Sequence, residues 1–224
     1  MKNETDAHLK PMPAMKVYDK LFAAWGPQHW WPGETRLEII VGAILTQNTA
    51  WTNVEKAIVN LKKARALNLE RLHRASRDEL AAWIRPAGYF NIKAKRLKCF
   101  FDALHNTFDG SLRKMFARET AELRAWLLNV NGIGPETADS ILLYAGNRPV
   151  FVIDAYTKRF MSRHGWCAGN APYDELAAQM VSCLPNDIQL YNEYHALIVH
   201  LGKDFCRPKP RCEQCPLNCW PTHV

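Results

Sequence analysis

Four cysteines crowd into fourteen residues near the end of the chain: Cys206, Cys212, Cys215 and Cys219, with five, two and three residues between them. Thiolates at this density suit a metal centre, and both tetrahedral zinc and a [4Fe-4S] cluster take four of them. Cys99, Cys167 and Cys183 are scattered and read as buried small hydrophobes. In a reducing compartment such a cluster points to metal and not to a disulfide framework. A second group lies in Asn131-Gly132-Ile133-Gly134-Pro135, a tight turn between two apolar segments. Glycines at 132 and 134 permit positive φ and expose backbone N–H groups, and Pro135 suits the first turn of the next helix. Such a turn seats a phosphate at a helix N-terminus, with Ile133 pinning it to the helices. Asp154 heads the segment AYTKRFMSRHG, where a carboxylate suits an N-cap.

The elements that must position these groups are helical. Apolar residues recur at three- and four-residue spacing in LEIIVGAILTQ, VEKAIVNLKKA, AKRLKCFFDAL and LRAWLLNV, with no sustained alternation. Short connections such as WWPGET, RPAGYFN and NTFDGS suit antiparallel helix neighbours, so the chain is expected to be all-α. A second helical stretch follows Pro149, which marks the boundary between two lobes. With 224 residues, 48% of them hydrophobic, a packed core is assured and a disordered chain is excluded. No apolar run approaches twenty residues and the first fifteen are polar, so a soluble, cytoplasmic protein without a membrane partner is expected. The formal charge of +7 biases the partner towards a polyanion.

From about residue 20 to the C-terminus the chain resembles the endonuclease III branch of the helix-hairpin-helix DNA glycosylases. The resemblance rests on the hairpin NGIGPE, on Asp154 in FVIDAY eighteen residues beyond Glu136, on VGAILTQNTAWTNVEKA and PAGYFNIKAKRL, and on the cysteine loop. It implies a six-helix barrel over residues 31–148, with the hairpin at about 121–145. A second lobe would be built from residues 1–30 and 149–224 and carry the iron-sulfur loop at 206–219. It further implies duplex DNA with a damaged base as partner, a monomer, and a [4Fe-4S] cluster on the four cysteines, with zinc as the alternative.

The same resemblance assigns roles residue by residue. Asp154 would stabilise the oxocarbenium-like sugar as the glycosidic bond breaks and orient the attacking water. Bifunctional members carry a Schiff-base lysine two residues after the second hairpin glycine; here that position is Glu136, which cannot form an imine. Water attack and no strand cleavage are therefore expected. Gln47 and Asn48 match the family's gap-filling loop, Tyr89 its wedge, and Lys158 reads as a DNA-backbone charge. Trp30, Trp31 and Trp51 resemble the alkylbase, 3-methyladenine-specific sub-branch, in which an aromatic pocket attracts a cationic purine. A glycosylase for mismatched or oxidised bases and a non-catalytic DNA-binding module are the competing readings.

Overall fold

The computed structural model describes residues 9–31 and 33–222, and among them every regular element is helical. Two compact units divide the chain: one holds Trp31–Arg148, the other the segment up to Trp30 together with the chain from Pro149 onward.

The Trp31–Arg148 unit contains α2 (Arg36–Leu45), α3 (Trp51–Lys63), α4 (Leu69–Arg74), α5 (Arg77–Trp83), α6 (Phe90–Phe108), α7 (Leu112–Phe116), α8 (Thr120–Asn129) and α9 (Pro135–Ser140). The other unit contains α1 (Ala14–Trp25), α10 (Ala155–Arg163), α11 (Tyr173–Ser182) and α12 (Ile188–Asp204). Helix α2 is apolar on all sides, and Glu38 through Leu45 are all buried, which makes it the central helix of its unit. Its start is fixed by Thr35, whose hydroxyl accepts the Glu38 N–H at 3.2 Å. Helix α3 is amphipathic, and Val54, Ala57, Ile58 and Leu61 bury one stripe of it. Burial of Val54, Ile58 and Leu61 contributes about 1.5–3 kcal/mol each. Between α2 and α6 the short helices are started by polar caps, Asn68 on α4 and a reciprocal Ser76–Glu79 capping box on α5.

Helix α9 does not continue as a plain α-helix. Ile141–Ala145 forms a π-helical turn, closed by the Gly146 N–H on the Ile141 carbonyl at 3.0 Å. Such turns shift the register of the side chains beyond them. In the second unit α10 and α1 both pack on α12. Phe151 meets Tyr191 and Tyr194 edge to face at 5.6 and 5.7 Å. Gly202 lets Tyr156 lie directly on the α12 backbone, where a Cβ would collide with its ring.

Two expectations are corrected. Only Gly132 uses positive φ, at 90°, whereas Gly134 is extended at −95° and serves as the N-cap of α9. Of the scattered cysteines Cys167 is buried, but Cys99 is half-buried and Cys183 is exposed, because α6 and the end of α11 turn those positions towards solvent.

Candidate DNA-facing and catalytic site

The hairpin joining α8 to α9 is held from three sides. Ile133 is buried, pinning the turn as its apolar side chain demands. The Gln47 Nε2 donates to the Gly132 carbonyl at 3.0 Å and to Thr137 Oγ1 at 2.9 Å. Arg96, on α6, donates to Gln47 Oε1 and lays its aliphatic stem on Gly132, where a Cβ would clash. Arg96 and Thr137 were not legible as hairpin supports; the sequence shows only a basic helix and a polar residue after Glu136. Glu136 itself is exposed in the first turn of α9.

Asn48 and Tyr89 both sit at exposed turns with left-handed backbone, at φ 53° and 47°. Tyr89 is 68% exposed and Ile92 53%, so this aromatic is not a core residue. The turn carrying Tyr89 is tied down through the Ala87 carbonyl, which accepts from Thr49 Oγ1 at 2.7 Å and from Lys93 Nζ at 2.8 Å. Lys93 is almost completely buried; burial, reinforced by the nearby Arg96 charge, brings its ammonium pKa down to about 8.

Trp31 and Trp51 come together, with ring centroids 4.9 Å apart and nearly perpendicular. Tyr144, delivered by the π-helical turn, stands 4.9 Å from Trp31 on another side. Gly42 on α2 leaves room for both indoles. The Trp51 Nε1 donates to Glu55 Oε1 at 2.9 Å. Trp30 lies in the other unit, with Lys203 Nζ 5.9 Å above its ring.

Asp154 caps α10 with an extended backbone, and its Oδ1 accepts both the Thr157 N–H at 2.7 Å and the Thr157 hydroxyl at 2.8 Å. The carboxylate is buried to 9% exposure, and its Oδ2 stands 3.7 Å from His195 Nε2. One oxygen is thus held by the cap while the carboxylate as a whole is fixed in orientation. Lys158, one turn on, is half-buried; burial and the Glu175 charge raise the Cys167 thiol to about 11, and the Lys158 charge partly opposes that rise.

Two further arginines of α10, missed in the sequence, staple the cysteine loop. Arg159 donates to the Cys206 and Gly202 carbonyls at 2.6 and 3.1 Å. Arg163 donates to the Arg207 and Pro208 carbonyls at 2.6 and 3.0 Å and reaches Cys206 Sγ at 3.4 Å. Cys206, Cys212 and Cys215 line one cavity with Leu201, Phe205 and Leu217. Burial pushes the Cys215 thiol up, and the other three cysteines add to that rise. The Leu217 N–H points at Cys215 Sγ at 3.4 Å, the kind of donor that tunes a ligating sulfur. Among the described residues no three His, Cys, Asp or Glu side chains have the geometry to hold a single metal ion. Arg207, Lys209 and Arg211 are exposed on this loop.

The fold thus supplies a braced hairpin between α8 and α9, a buried aspartate at the head of α10 and a cysteine loop stapled from that same helix. Residues 41–186 match the HhH-GPD superfamily of base excision DNA repair proteins, and the chain belongs to that family. It is 50% identical over 205 residues to the candidate DNA repair glycosylase MJ1434 of Methanocaldococcus jannaschii, spanning 91% of this chain and 93% of that protein. It is 26% identical over 181 residues to the endonuclease III of Thermotoga maritima, spanning 80% and 79% of the two chains. Among solved structures, the Helicobacter pylori 3-methyladenine DNA glycosylase bound to 1,N6-ethenoadenine matches at 31% identity with a TM-score of 0.74, over 86% of this chain and 98% of that one. An endonuclease III–DNA complex matches at 18% identity with a TM-score of 0.80, over 95% of each, and shows the shared fold. The protein is thus a base excision repair DNA glycosylase of this superfamily. No helix among the described residues is long and apolar enough to cross a membrane.

Proposed function

We propose that this protein is a monofunctional DNA N-glycosylase that removes alkylated purines from duplex DNA by water attack. The observation that carries the reading is Asp154, a buried carboxylate fixed by two donors from Thr157. Held in that orientation, it stabilises the positive charge that develops on the deoxyribose more than it stabilises the ground state, and it orients the water. The hairpin N–H groups of Gly132 and Gly134 seat a backbone phosphate, while the Ile133 N–H closes the turn on the Val130 carbonyl at 3.0 Å, and the exposed Tyr89 and Asn48 part and fill the stack. Glu136, where a lysine nucleophile would stand, supports hydrolysis without strand cleavage.

The aromatic group Trp31, Trp51 and Tyr144 supports a cationic alkylpurine as substrate. A base already carrying positive charge leaves without strong acid assistance. Cys206, Cys212, Cys215 and Cys219 would hold a [4Fe-4S] cluster, which supplies a structural staple that keeps Arg207, Lys209 and Arg211 facing the phosphates. Lys158, on α10, contributes as a charge towards the DNA backbone and not through imine chemistry.

The test is a panel of end-labelled duplexes and methylated genomic DNA, incubated with protein and then split into samples with and without hot alkali. The reading predicts methylpurine release and strand breaks only after alkali. Breaks without alkali would replace it with a bifunctional enzyme, and release of an uncharged pyrimidine alone would move the substrate to oxidised or mismatched bases. Binding without product would leave a DNA-binding module. Trp51→Ala should cost about 0.5–2 kcal/mol of transition-state stabilisation for a cationic base, and less for a neutral one.

A further inference from the structure

His195 lies on α12 with its ring 5% exposed, and its Nε2 is 3.7 Å from Asp154 Oδ2. That separation is too long for a hydrogen bond but well within the reach of an ion pair. Because Asp154 Oδ1 is taken by the two Thr157 donors, the imidazole stands beside the other oxygen. We infer that His195 is a positioning residue for Asp154: neutral, it walls in the carboxylate and leaves its charge intact, and protonated, it pairs with Oδ2 and cancels that charge. This rests on the reading of Asp154 as the group that stabilises the sugar cation.

The Asp154 carboxylate is a charged neighbour of His195, and other ionisable groups lie on the elements around it. On α10, Lys158 acts on Cys167, and Arg159 and Arg163 are bonded to carbonyls of the cysteine loop and α12. On α1, Lys16, Asp19 and Lys20 are exposed. On α12 itself, Glu193 accepts the Gln28 N–H and His200 pairs with Asp204. At the start of α11, the Tyr173 hydroxyl accepts the Ile153 N–H. Burial lowers the His195 pKa below the ordinary 6.5, and the Asp154 charge pulls it partly back. At neutral pH the ring is therefore uncharged and the carboxylate keeps its field. As pH falls through the His195 pKa, the imidazolium forms against Oδ2 and excision should fall with it.

The experiment has two arms. Single-turnover release of methylpurine from methylated duplex DNA is followed across acid pH for the native protein, His195→Asn, His195→Gln and Asp154→Asn. The native rate should drop about tenfold on the acid side, the effect of one pK unit of coupling. In both His195 variants that limb should move to lower pH. Histidine resonances of the native protein and Asp154→Asn are titrated by NMR, with no activity required. One buried histidine titrating below 6.5 should shift lower still when the Asp154 charge is removed. An unmoved resonance, or variant pH profiles that overlay the native one while Asp154→Asn is inactive, would overturn the role of His195 alone. Normal excision by Asp154→Asn would instead overturn the reading of Asp154. If the His195 variants do not fold, the NMR arm still decides.

Discussion

Replacing Gln47 with leucine keeps the side-chain volume but removes every polar contact that this residue makes with the hairpin. Two neutral hydrogen bonds are lost, to the Gly132 carbonyl and to Thr137 Oγ1, as is the acceptor for Arg96. At about 1 kcal/mol for each neutral bond and about 2 for the charge-assisted one, the gross loss is about 4 kcal/mol. The side chain is only half-buried, so water re-satisfies part of what is freed, and a net destabilisation of about 2 kcal/mol is expected. Urea denaturation should show the midpoint falling by roughly 1 M at unchanged slope. Affinity for undamaged and damaged duplex should weaken alike, because a loosened hairpin loses phosphate contacts, which carry no sequence information. A double-mutant cycle with Thr137→Val should return a coupling of about 0.5–1 kcal/mol. If Gln47→Leu costs under about 0.5 kcal/mol and leaves duplex affinity intact while excision collapses, the residue is a gap filler for the flipped base and not a brace.

The two hairpin glycines should respond very differently. Gly132→Ala, at φ 90° and against Arg96, should cost over about 1 kcal/mol, whereas Gly134→Ala, extended and facing open space, should change stability by under about 0.5; equal losses would refute this assignment of the turn. Lys93 has a pKa of about 8 in the fold against 10.5 when unfolded, so between those values the unfolded chain binds more protons. Stability from this group should be lowest and flat below pH 8 and rise from pH 8 to 10.5, and Lys93→Met should remove that rise; an unchanged slope by thermal denaturation would contradict the buried ammonium.

Much of this site could be read from residue type and spacing. Helix periodicity, the glycine turn and the cysteine spacing are local signals, and local signals survive in a linear chain. Asp154 was legible both as an N-cap and as a carboxylate, and the structure has it capping α10. What escaped depends on contacts between residues distant in sequence. Arg96 reaches Gln47 across 49 positions, Arg159 reaches Cys206 across 47, and His195 approaches Asp154 from a separate helix. Tyr144 joined the tryptophans because the π-helical turn altered the register of an apolar run that periodicity alone reads as plain helix. Which of the two glycines would use the positive φ that both permit was not legible either: Gly132 does and Gly134 does not.

Asp154→Asn tests the central claim most directly, because asparagine can still accept the Thr157 donors and cap α10 while losing the charge. Single-turnover excision of methylpurine from duplex DNA should fall by about 10²–10³ or more, with thermal stability and duplex affinity near those of the native protein. A near-native rate constant in a folded, DNA-binding Asp154→Asn protein would contradict the account.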